Sequence, residues 1–176
     1  ASYRDERGQF AYAHARVQPD GRVDTFVRSD NSFMASLATG PDGAVWYNTA
    51  RGAGRISSDG STRVMFGPVS DATYDLTTGP DGKLWQGANQ SVYRIGLDGS
   101  ATSIDLLGRN AGYARNISTG ADGRLWFTVN PYAAGVGGIG RISSPAALSF
   151  IDAGGGWNFV PGPDGQTWFA VPRGGS

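Results

Sequence analysis

The sequence predicts an all-β fold built from repeated units of about four short strands. One motif, of the form Gly-x-Asp-Gly-x-x-Trp, occurs four times, and the first glycines of successive copies are 39, 41 and 42 residues apart. The composition agrees, because 28 Gly and 9 Pro in 176 residues suit many strands joined by tight turns. No long stretch shows helical periodicity. The copies of the motif occupy residues 40–46, 79–85, 120–126 and 162–168.

Each copy of the motif predicts a hairpin turn between two strands. In the second copy, Pro80 presets the backbone angle, Asp81 can bond its neighbouring backbone, and Gly82 can adopt the left-handed conformation that closes the hairpin. The tryptophan that ends each copy then lies near the start of the next strand. We interpret these residues as packing between neighbouring units rather than as a ligand cage. They are Trp46, Trp85, Trp126 and Trp168.

A second, weaker repeat lies between the copies of the motif. Residues 54–61 are echoed by residues 93–100 and by residues 140–144, and each of these segments contains Arg-Ile. An apolar, strand-like run follows each of them. This pattern predicts a second hairpin in every unit, and therefore four strands per unit.

The two ends of the chain predict complementary halves of one unit. Residues 12–27 match the second hairpin, and residues 157–171 match the first hairpin. We therefore predict a β-propeller domain over residues 12–176, preceded by a polar tail or arm over residues 1–11. It would have four four-stranded blades, the last closed by the N- and C-terminal segments, so that no sheet edge stays open. A piece of a larger propeller, or two chains joined in an eight-bladed ring, are the alternatives.

Charge and composition limit the classes of partner. The formal net charge is zero, so the sequence does not favour binding to nucleic acid or to an anionic membrane. No apolar run is long enough to span a membrane. The lack of cysteine excludes disulfides and leaves secreted and cytoplasmic locations open. Glu6 is the single glutamate and Lys83 the single lysine, a bias typical of a high-GC bacterium.

The two repeats together resemble those of the virginiamycin B lyase (streptogramin lyase) family of β-propellers. The resemblance covers the chain from Ala11 onward, through the Gly-Pro-Asp-Gly-x-Leu-Trp motif, the later Gly-Arg-Ile and the Asp-Gly turn. It implies a propeller fold, generally with seven blades. It also implies opening of a cyclic peptide antibiotic by C–O elimination, with a divalent metal, a carboxylate and histidines at the face of the ring.

The sequence departs from that family at the residues on which activity would depend. The family repeat usually continues Trp-Phe-Thr-Glu, but the glutamate position is occupied by Thr49, Ala88, Val129 and Val171. The single histidine, His14, falls in a predicted outer strand, where a structural role is favoured. Since elimination needs a general base in a pocket, no catalytic residue is assigned. We expect no cofactor, with Mg²⁺ required only if lyase activity persists. The turn aspartates are explained by turn chemistry rather than by a metal site.

Aligning the four units predicts a ligand site beside the central channel, where propellers commonly bind ligands. One offset holds polar residues in every unit, and the residue one step earlier is different in each of the four units. Short amides also follow the second strands. The resulting prediction comprises Tyr74, Asp75, Arg115, Asn116, Trp157, Asn158, Asn48, Asn89 and Asn130. The competing interpretation is a polar ring that only satisfies backbone groups and channel water.

Two functional hypotheses follow from the sequence. The first is a binding module for a small molecule, peptide, glycan or protein that has kept the lyase scaffold without its acid-base groups. The second is a metal-assisted C–O lyase of streptogramin B-type cyclic peptides with a divergent site, in which Asp75 acts as base or metal ligand and Arg115 stabilises an enolate-like charge. Both a monomer and a homodimer are compatible with either hypothesis.

Overall fold

The structure is a computed structural model that describes residues 3–4, 7–28, 34–49, 52–66, 73–106, 112–131, 137–144, 147–152 and 158–170. All regular elements in these ranges are β-strands, which confirms the predicted fold class. The described residues contain no helix that could cross a membrane. The strands are β1 (Tyr3–Arg4), β2 (Phe10–Ala11), β3 (Ala13–Val17), β4 (Val23–Val27), β5 (Met34–Thr39), β6 (Val45–Thr49), β7 (Gly52–Ile56), β8 (Thr62–Phe66), β9 (Thr73–Thr78), β10 (Leu84–Ala88), β11 (Ser91–Ile95), β12 (Ala101–Asp105), β13 (Gly112–Thr119), β14 (Leu125–Pro131), β15 (Gly138–Ser144), β16 (Ala147–Asp152), β17 (Asn158–Pro161) and β18 (Thr167–Ala170).

Three complete blades form the body of the molecule. Their strand orders are β5-β6-β7-β8, β9-β10-β11-β12 and β13-β14-β15-β16, and neighbouring strands pair antiparallel. The first strands of the blades lie side by side, since β9 contacts both β5 and β13. Four-stranded meanders packed along their first strands are the arrangement of a β-propeller, as predicted. We call them the first, second and third blades.

The two ends of the chain form separate half-blades. Strands β3 and β4 pair as one two-stranded sheet, and β17 and β18 pair as another. In the part of the chain that the structure describes, these are two separate sheets, so completion of a fourth blade by the two ends stays a prediction. The N-terminal segment matches the second hairpin of a unit and the C-terminal segment matches the first, which specifies the strands that could complete a blade. The curvature of blade packing decides whether the two ends of one chain meet.

The N-terminal residues add a small hairpin outside the blades. Strands β1 and β2 pair through Tyr3 with Ala11 and Arg4 with Phe10. The Arg4 guanidinium lies 4.7 Å from the centroid of the Phe10 ring. The segment predicted as a polar tail or arm therefore contains a two-residue strand pair.

In the turn motif, one aspartate binds the turn itself and the second and third strands of the blade. Asp81 Oδ1 accepts hydrogen bonds from Trp85 Nε1 at 2.9 Å and from Lys83 N at 3.2 Å. Its other oxygen accepts from Arg94 Nε on β11 at 2.6 Å. At Gly79, an added Cβ would overlap the Trp85 ring, so glycine is the residue that lets the indole lie against the turn. The turn, the second strand and the third strand are thereby held together.

The turn motifs of the first and third blades repeat part of this set of contacts. Asp42 accepts from Trp46 Nε1 at 2.9 Å and from Arg55 Nε at 3.0 Å. Asp122 accepts from the Trp126 indole at 2.9 Å, and its ion pair is with Arg124 instead. The indole and turn contacts therefore recur in all three complete blades. The arginine from the third strand is seen in the first two.

These contacts lower the pKa of the turn carboxylates. Burial by itself would raise the pKa of Asp81, but hydrogen bonds from Trp85, Arg94 and the Lys83 backbone outweigh it, so the net pKa lies below the usual value. The pKa values of Asp42 and Asp122 are lowered by the same balance. The carboxylates are therefore stabilised in their ionised form.

The tryptophans pack between blades, which confirms their predicted role in three of the four units. Trp46 lies in one cluster with Leu76 and Leu84 of the second blade. Trp85 lies in another with Ile117 and Leu125 of the third blade. Trp126 packs in the same way against Phe159 of the C-terminal half-blade. Each indole thus covers the inner strands of the blade that follows.

Removing the carboxylate that holds the tryptophan tests this arrangement. We expect Asp81→Ala to lower the free energy of unfolding by about 1–3 kcal/mol, because a buried indole N–H loses its acceptor. Asp59→Ala is the matched control, since Asp59 lies in a second-hairpin turn and accepts from Ser61, with no indole among its partners in the described residues. Urea denaturation measures both variants. Equal losses would mean that turn geometry, and not the indole contact, provides the stabilisation.

The lowered pKa values predict loss of stability in acid. Because the folded-state pKa of Asp42, Asp81 and Asp122 lies below the unfolded value of 3.8, their stabilising contribution is present above that value and is lost as the pH falls through the folded-state pKa. The melting temperature should therefore fall on acidification below about pH 4. Asp81→Asn, which cannot titrate, should show a smaller decrease over the same range, measured by circular dichroism.

Candidate functional site

A small pocket lies where the first strands of the three blades converge. Its volume is about 270 Å³, and it is lined by Ala35, Tyr74, Asp75, Arg115 and Asn116. Ala35 belongs to β5, Tyr74 and Asp75 to β9, and the other two residues to β13. Four of the nine predicted site residues thus meet in one place, although they come from two different blades.

Arg115 lies over a pair of tyrosine rings. Its guanidinium is 4.5 Å from the centroid of Tyr74 and 4.8 Å from that of Tyr113, and the two rings are 5.1 Å apart. The Arg115 residue is exposed, and its side chain forms no hydrogen bond or ion pair with the described residues. Contact with two ring faces holds the guanidinium in place by cation–π attraction. Its N–H groups remain available at the pocket.

Asp75 and Asn116 form the polar part of the pocket. Asp75 Oδ2 accepts a hydrogen bond from Asn116 N at 2.6 Å, across the boundary between the second and third blades. Asn116 has φ 51° and donates through Nδ2 to Thr128 Oγ1 at 3.1 Å. The pairing of β13 with β14 shifts register between Arg115 and Ser118. Such a bulge changes the direction of a side chain and is common beside functional sites.

Asn89 positions the tyrosine of the pocket. Its Oδ1 accepts a hydrogen bond from the Tyr74 hydroxyl at 2.8 Å, and Asn89 itself forms an isolated bridge with Tyr113. Asn130 is the cross-strand partner of Tyr113. These two predicted amides therefore lie around the tyrosine pair rather than in the lining of the pocket.

Asn48 and Asn158 are not among the residues that line this pocket. Asn48 is buried and shares the strand face of Trp46, because residues two apart in a strand point the same way. It is two residues past its tryptophan, whereas Asn89 and Asn130 are four residues past theirs, so the three amides are not at equivalent positions. Asn158 is exposed, and its Oδ1 accepts from Phe159 N at 2.9 Å. Trp157 lies outside the described residues.

Sequence reasoning missed two residues that support the site. Tyr113 provides the second ring beneath Arg115, and Thr128 holds both the Asn116 amide and the Arg115 carbonyl. Tyr113 is two residues before Arg115, so alternation along β13 could have placed both on one face. The role of Thr128 follows from the bulge in β13, which no sequence signal indicated.

The residues of the pocket do not fit a divalent metal. Hard cations take several oxygen ligands, usually from more than one carboxylate. Asp75 is the one carboxylate in the lining, and it already accepts the Asn116 N–H. Over the described ranges, no group of three or more His, Asp or Glu residues could hold a metal ion. No step in the chemistry of this pocket is therefore assigned to a metal.

His14 lies far from these residues, on strand β3. Its Nε2 is 2.9 Å from the Gly60 carbonyl oxygen, and its ring stacks on Phe26 with centroids 5.2 Å apart. Burial lowers the pKa of His14, the Gly60 contact opposes this, and the charge of Arg28 adds to the lowering. The neutral, packed ring connects the N-terminal half-blade to the first blade.

The model of the Virginiamycin B lyase family matches residues 9–171. The chain belongs to the Virginiamycin B lyase family. A comparison with curated proteins finds no match.

Solved structures that are similar to this chain include proteins described with different functions. A streptogramin B lyase is 19% identical with a TM-score of 0.62, over 97% of this chain and 75% of that chain. A gluconolactonase of Xanthomonas campestris is 14% identical with a TM-score of 0.56, over 68% of this chain and 47% of that one. The extracellular domain of a hybrid two-component system from B. thetaiotaomicron is 13% identical with a TM-score of 0.69, over 87% of this chain and 23% of that chain. At these identities the likeness shows the fold alone, and the chain spans only part of each protein.

Substitutions at Asn116 separate backbone strain from side-chain contacts. Since Asn116 has a left-handed φ, Asn116→Gly should be more stable than Asn116→Ala by about 1 kcal/mol. Ser103 on exposed strand β12 is the control, because glycine there should be less stable than alanine by roughly 0.5–1 kcal/mol. Thermal and urea unfolding measure the four variants. If glycine is less stable than alanine at both positions, the left-handed backbone at Asn116 is contradicted.

Proposed function

We propose that this member of the Virginiamycin B lyase family is a binding module that holds a carboxylate-bearing peptide or glycan at the pocket of Tyr74, Asp75, Arg115 and Asn116. The observation that supports it is the Arg115 guanidinium, which lies on two tyrosine rings and has no acidic partner among the described residues. Arginine in this state is prepared for an anionic ligand.

The chemistry of the pocket favours a carboxylate over a simple anion. The planar guanidinium can donate two parallel N–H bonds to a carboxylate, and the rings hold that plane in place. Asp75 has one oxygen that accepts from Asn116 N and a second that can accept an N–H or O–H of the ligand. A peptide C-terminus and an acidic sugar both combine these groups. The volume of about 270 Å³ suits one residue or one sugar ring.

The positions that would carry the family glutamate support binding without catalysis. Thr49, Ala88 and Val129 are all buried, and none offers a group that takes up a proton at neutral pH. His14 is engaged with Gly60 and Phe26 in another part of the molecule. The carboxylate of the pocket, Asp75, is the remaining candidate for a base.

Lyase activity on streptogramin B-type cyclic peptides is the second candidate, favoured by family membership and by the likeness to a streptogramin B lyase. In that case Asp75 would take up the proton and Arg115 would stabilise the developing enolate-like charge. Incubation with a streptogramin B antibiotic and Mg²⁺, followed by mass spectrometry, distinguishes the two. The binding proposal expects no ring opening above the rate without protein.

Paired probes test the binding proposal directly. An N-acetyl dipeptide with a free carboxylate and the same dipeptide as its amide should differ in affinity by at least about tenfold, because only the acid pairs with Arg115. Arg115→Ala should remove this preference, whereas Arg63→Ala on outer strand β8 should keep it. Glucuronate and glucose form the corresponding sugar pair. Isothermal titration measures the affinities, and equal binding of acid and neutral forms of both pairs would contradict the proposal.

A further inference from the structure

The two ends of the described structure expose apolar residues whose equivalents in the interfaces between complete blades are buried. At the C-terminal end, Trp168 is 61% exposed, whereas Trp85 at the same offset is 2% exposed. Val160, the cross-strand partner of Trp168, is also exposed. This surface, which we call the Trp168 face, has the chemistry of an interblade face without a blade to cover it.

The N-terminal end exposes the complementary surface. Leu37 on β5 is 51% exposed, whereas its equivalent Leu76 is 5% exposed. Val45 on β6 is 42% exposed, whereas its equivalent Leu84 is fully buried. In the first two complete interfaces, these equivalent positions pack against the tryptophan of the preceding blade. The first blade therefore presents a surface shaped for a tryptophan-bearing strand.

A cleft marks the place where that strand would lie. It has a volume of about 600 Å³ between the β3–β4 hairpin and the first blade, and its lining includes His14, Phe26, Leu37, Val45 and Ile56. Both sides are already in contact, since Arg16 donates to the Ser58 carbonyl at 2.9 Å. The missing part is thus an inner strand pair, while the outer pair is in position.

We propose that two copies of the chain associate head to tail, with the Trp168 face of each copy seated in the cleft of the other. Strand β18 of one copy would pair with β3 of its partner, so that β17-β18-β3-β4 repeats the order β13-β14-β15-β16. Two such junctions complete two blades and close a ring of eight, within the range known for propellers. This inference goes beyond the proposed function and does not rest on it.

The register of the junction follows from the complete blades. Trp46 pairs with Arg55, Trp85 with Arg94 and Trp126 with Arg141. The same register places Trp168 opposite Arg16 of the partner subunit, and Thr167 opposite Val17 of the partner subunit. It also brings Arg16 of the partner subunit toward Asp164.

That contact would supply what Asp164 lacks. Asp42 and Asp81 each bind an arginine from the third strand of their own blade. Within the described residues, Asp164 accepts from Trp168 and Gln166 but from no arginine. Arg16 instead pairs with Asp24 on its own hairpin at 2.8 Å. A second copy is therefore an occupant that fits by apolar surface, by strand register and by charge.

Sedimentation velocity tests the association. The chain has a mass of 18.4 kDa, and the sedimenting species should have twice that mass. Protein concentrations up to about 0.1 mM are used, because they populate the dimer even if its dissociation constant is micromolar. Trp168→Ala should raise the dissociation constant of the dimer by at least about tenfold, since it removes the aromatic side chain that would fill the cleft. Phe10→Ser, at an apolar residue exposed on another surface, is the control and should leave it unchanged. A monomeric parent chain, or equal effects of the two substitutions, would overturn the proposal.

Engineered cysteines test both the register and the identity of the occupant, because the chain has none of its own. Thr167→Cys combined with Val17→Cys should oxidise to a covalent dimer, since directly opposed residues lie within disulfide reach. Thr167→Cys with Ala15→Cys, two positions along the strand, should form little dimer. A disulfide within one chain, seen as a cross-linked monomer, would overturn the second copy in favour of closure by the chain itself.

Discussion

The hydrogen bond from the tryptophan indole to the turn aspartate is the contact on which the architecture depends. It measures 2.9 Å in all three complete blades, and the same carboxylate oxygen also accepts a backbone N–H of the turn. One group thus fixes the turn and orients a large apolar ring at the same time. Because the ring cannot rotate away without losing its acceptor, it is held against the blade that follows. Local turn chemistry in this way determines the packing of whole sheets.

The spacing between the inner strands of neighbouring blades follows from that packing. Hydrogen bonds between the blades further constrain this spacing. Thr78 Oγ1 donates to the Thr39 carbonyl at 2.6 Å, and Thr119 Oγ1 donates to the Thr78 carbonyl at 3.3 Å. Farther along the same strands, Leu76 N donates to Ser36 Oγ, and Asn116 N donates to Asp75. The last contact belongs to the pocket itself. The candidate site is therefore a specialised member of a series of interblade contacts, with a charged acceptor where the preceding junction has a hydroxyl.

Much of this arrangement could be predicted from sequence because it repeats. The motif gave the turns, the strands and the tryptophan packing, and the alignment brought Asp75 and Asn116 to one offset. Prediction failed where the repeat is broken. Asn48 was grouped with Asn89 although it lies two residues closer to its tryptophan, and the bulge after Arg115, which recruits Thr128, leaves no sequence signal. The repeat alone does not determine how the ring closes, since closure depends on a small angle between blades that accumulates along the chain.

The number of blades around the channel bears on what Arg115 can bind. Its guanidinium lies at the inner strands, so access to it depends on the width of the opening that those strands surround. A ring of four blades leaves a narrow channel, whereas a ring of eight leaves a wider one. Association of two copies would therefore open the pocket to a peptide or glycan chain and place two identical pockets on one channel. A ligand with two suitably spaced carboxylates would then gain from effective concentration as well as from each contact. Binding and assembly would be linked, because such a ligand stabilises the closed ring over the separate halves.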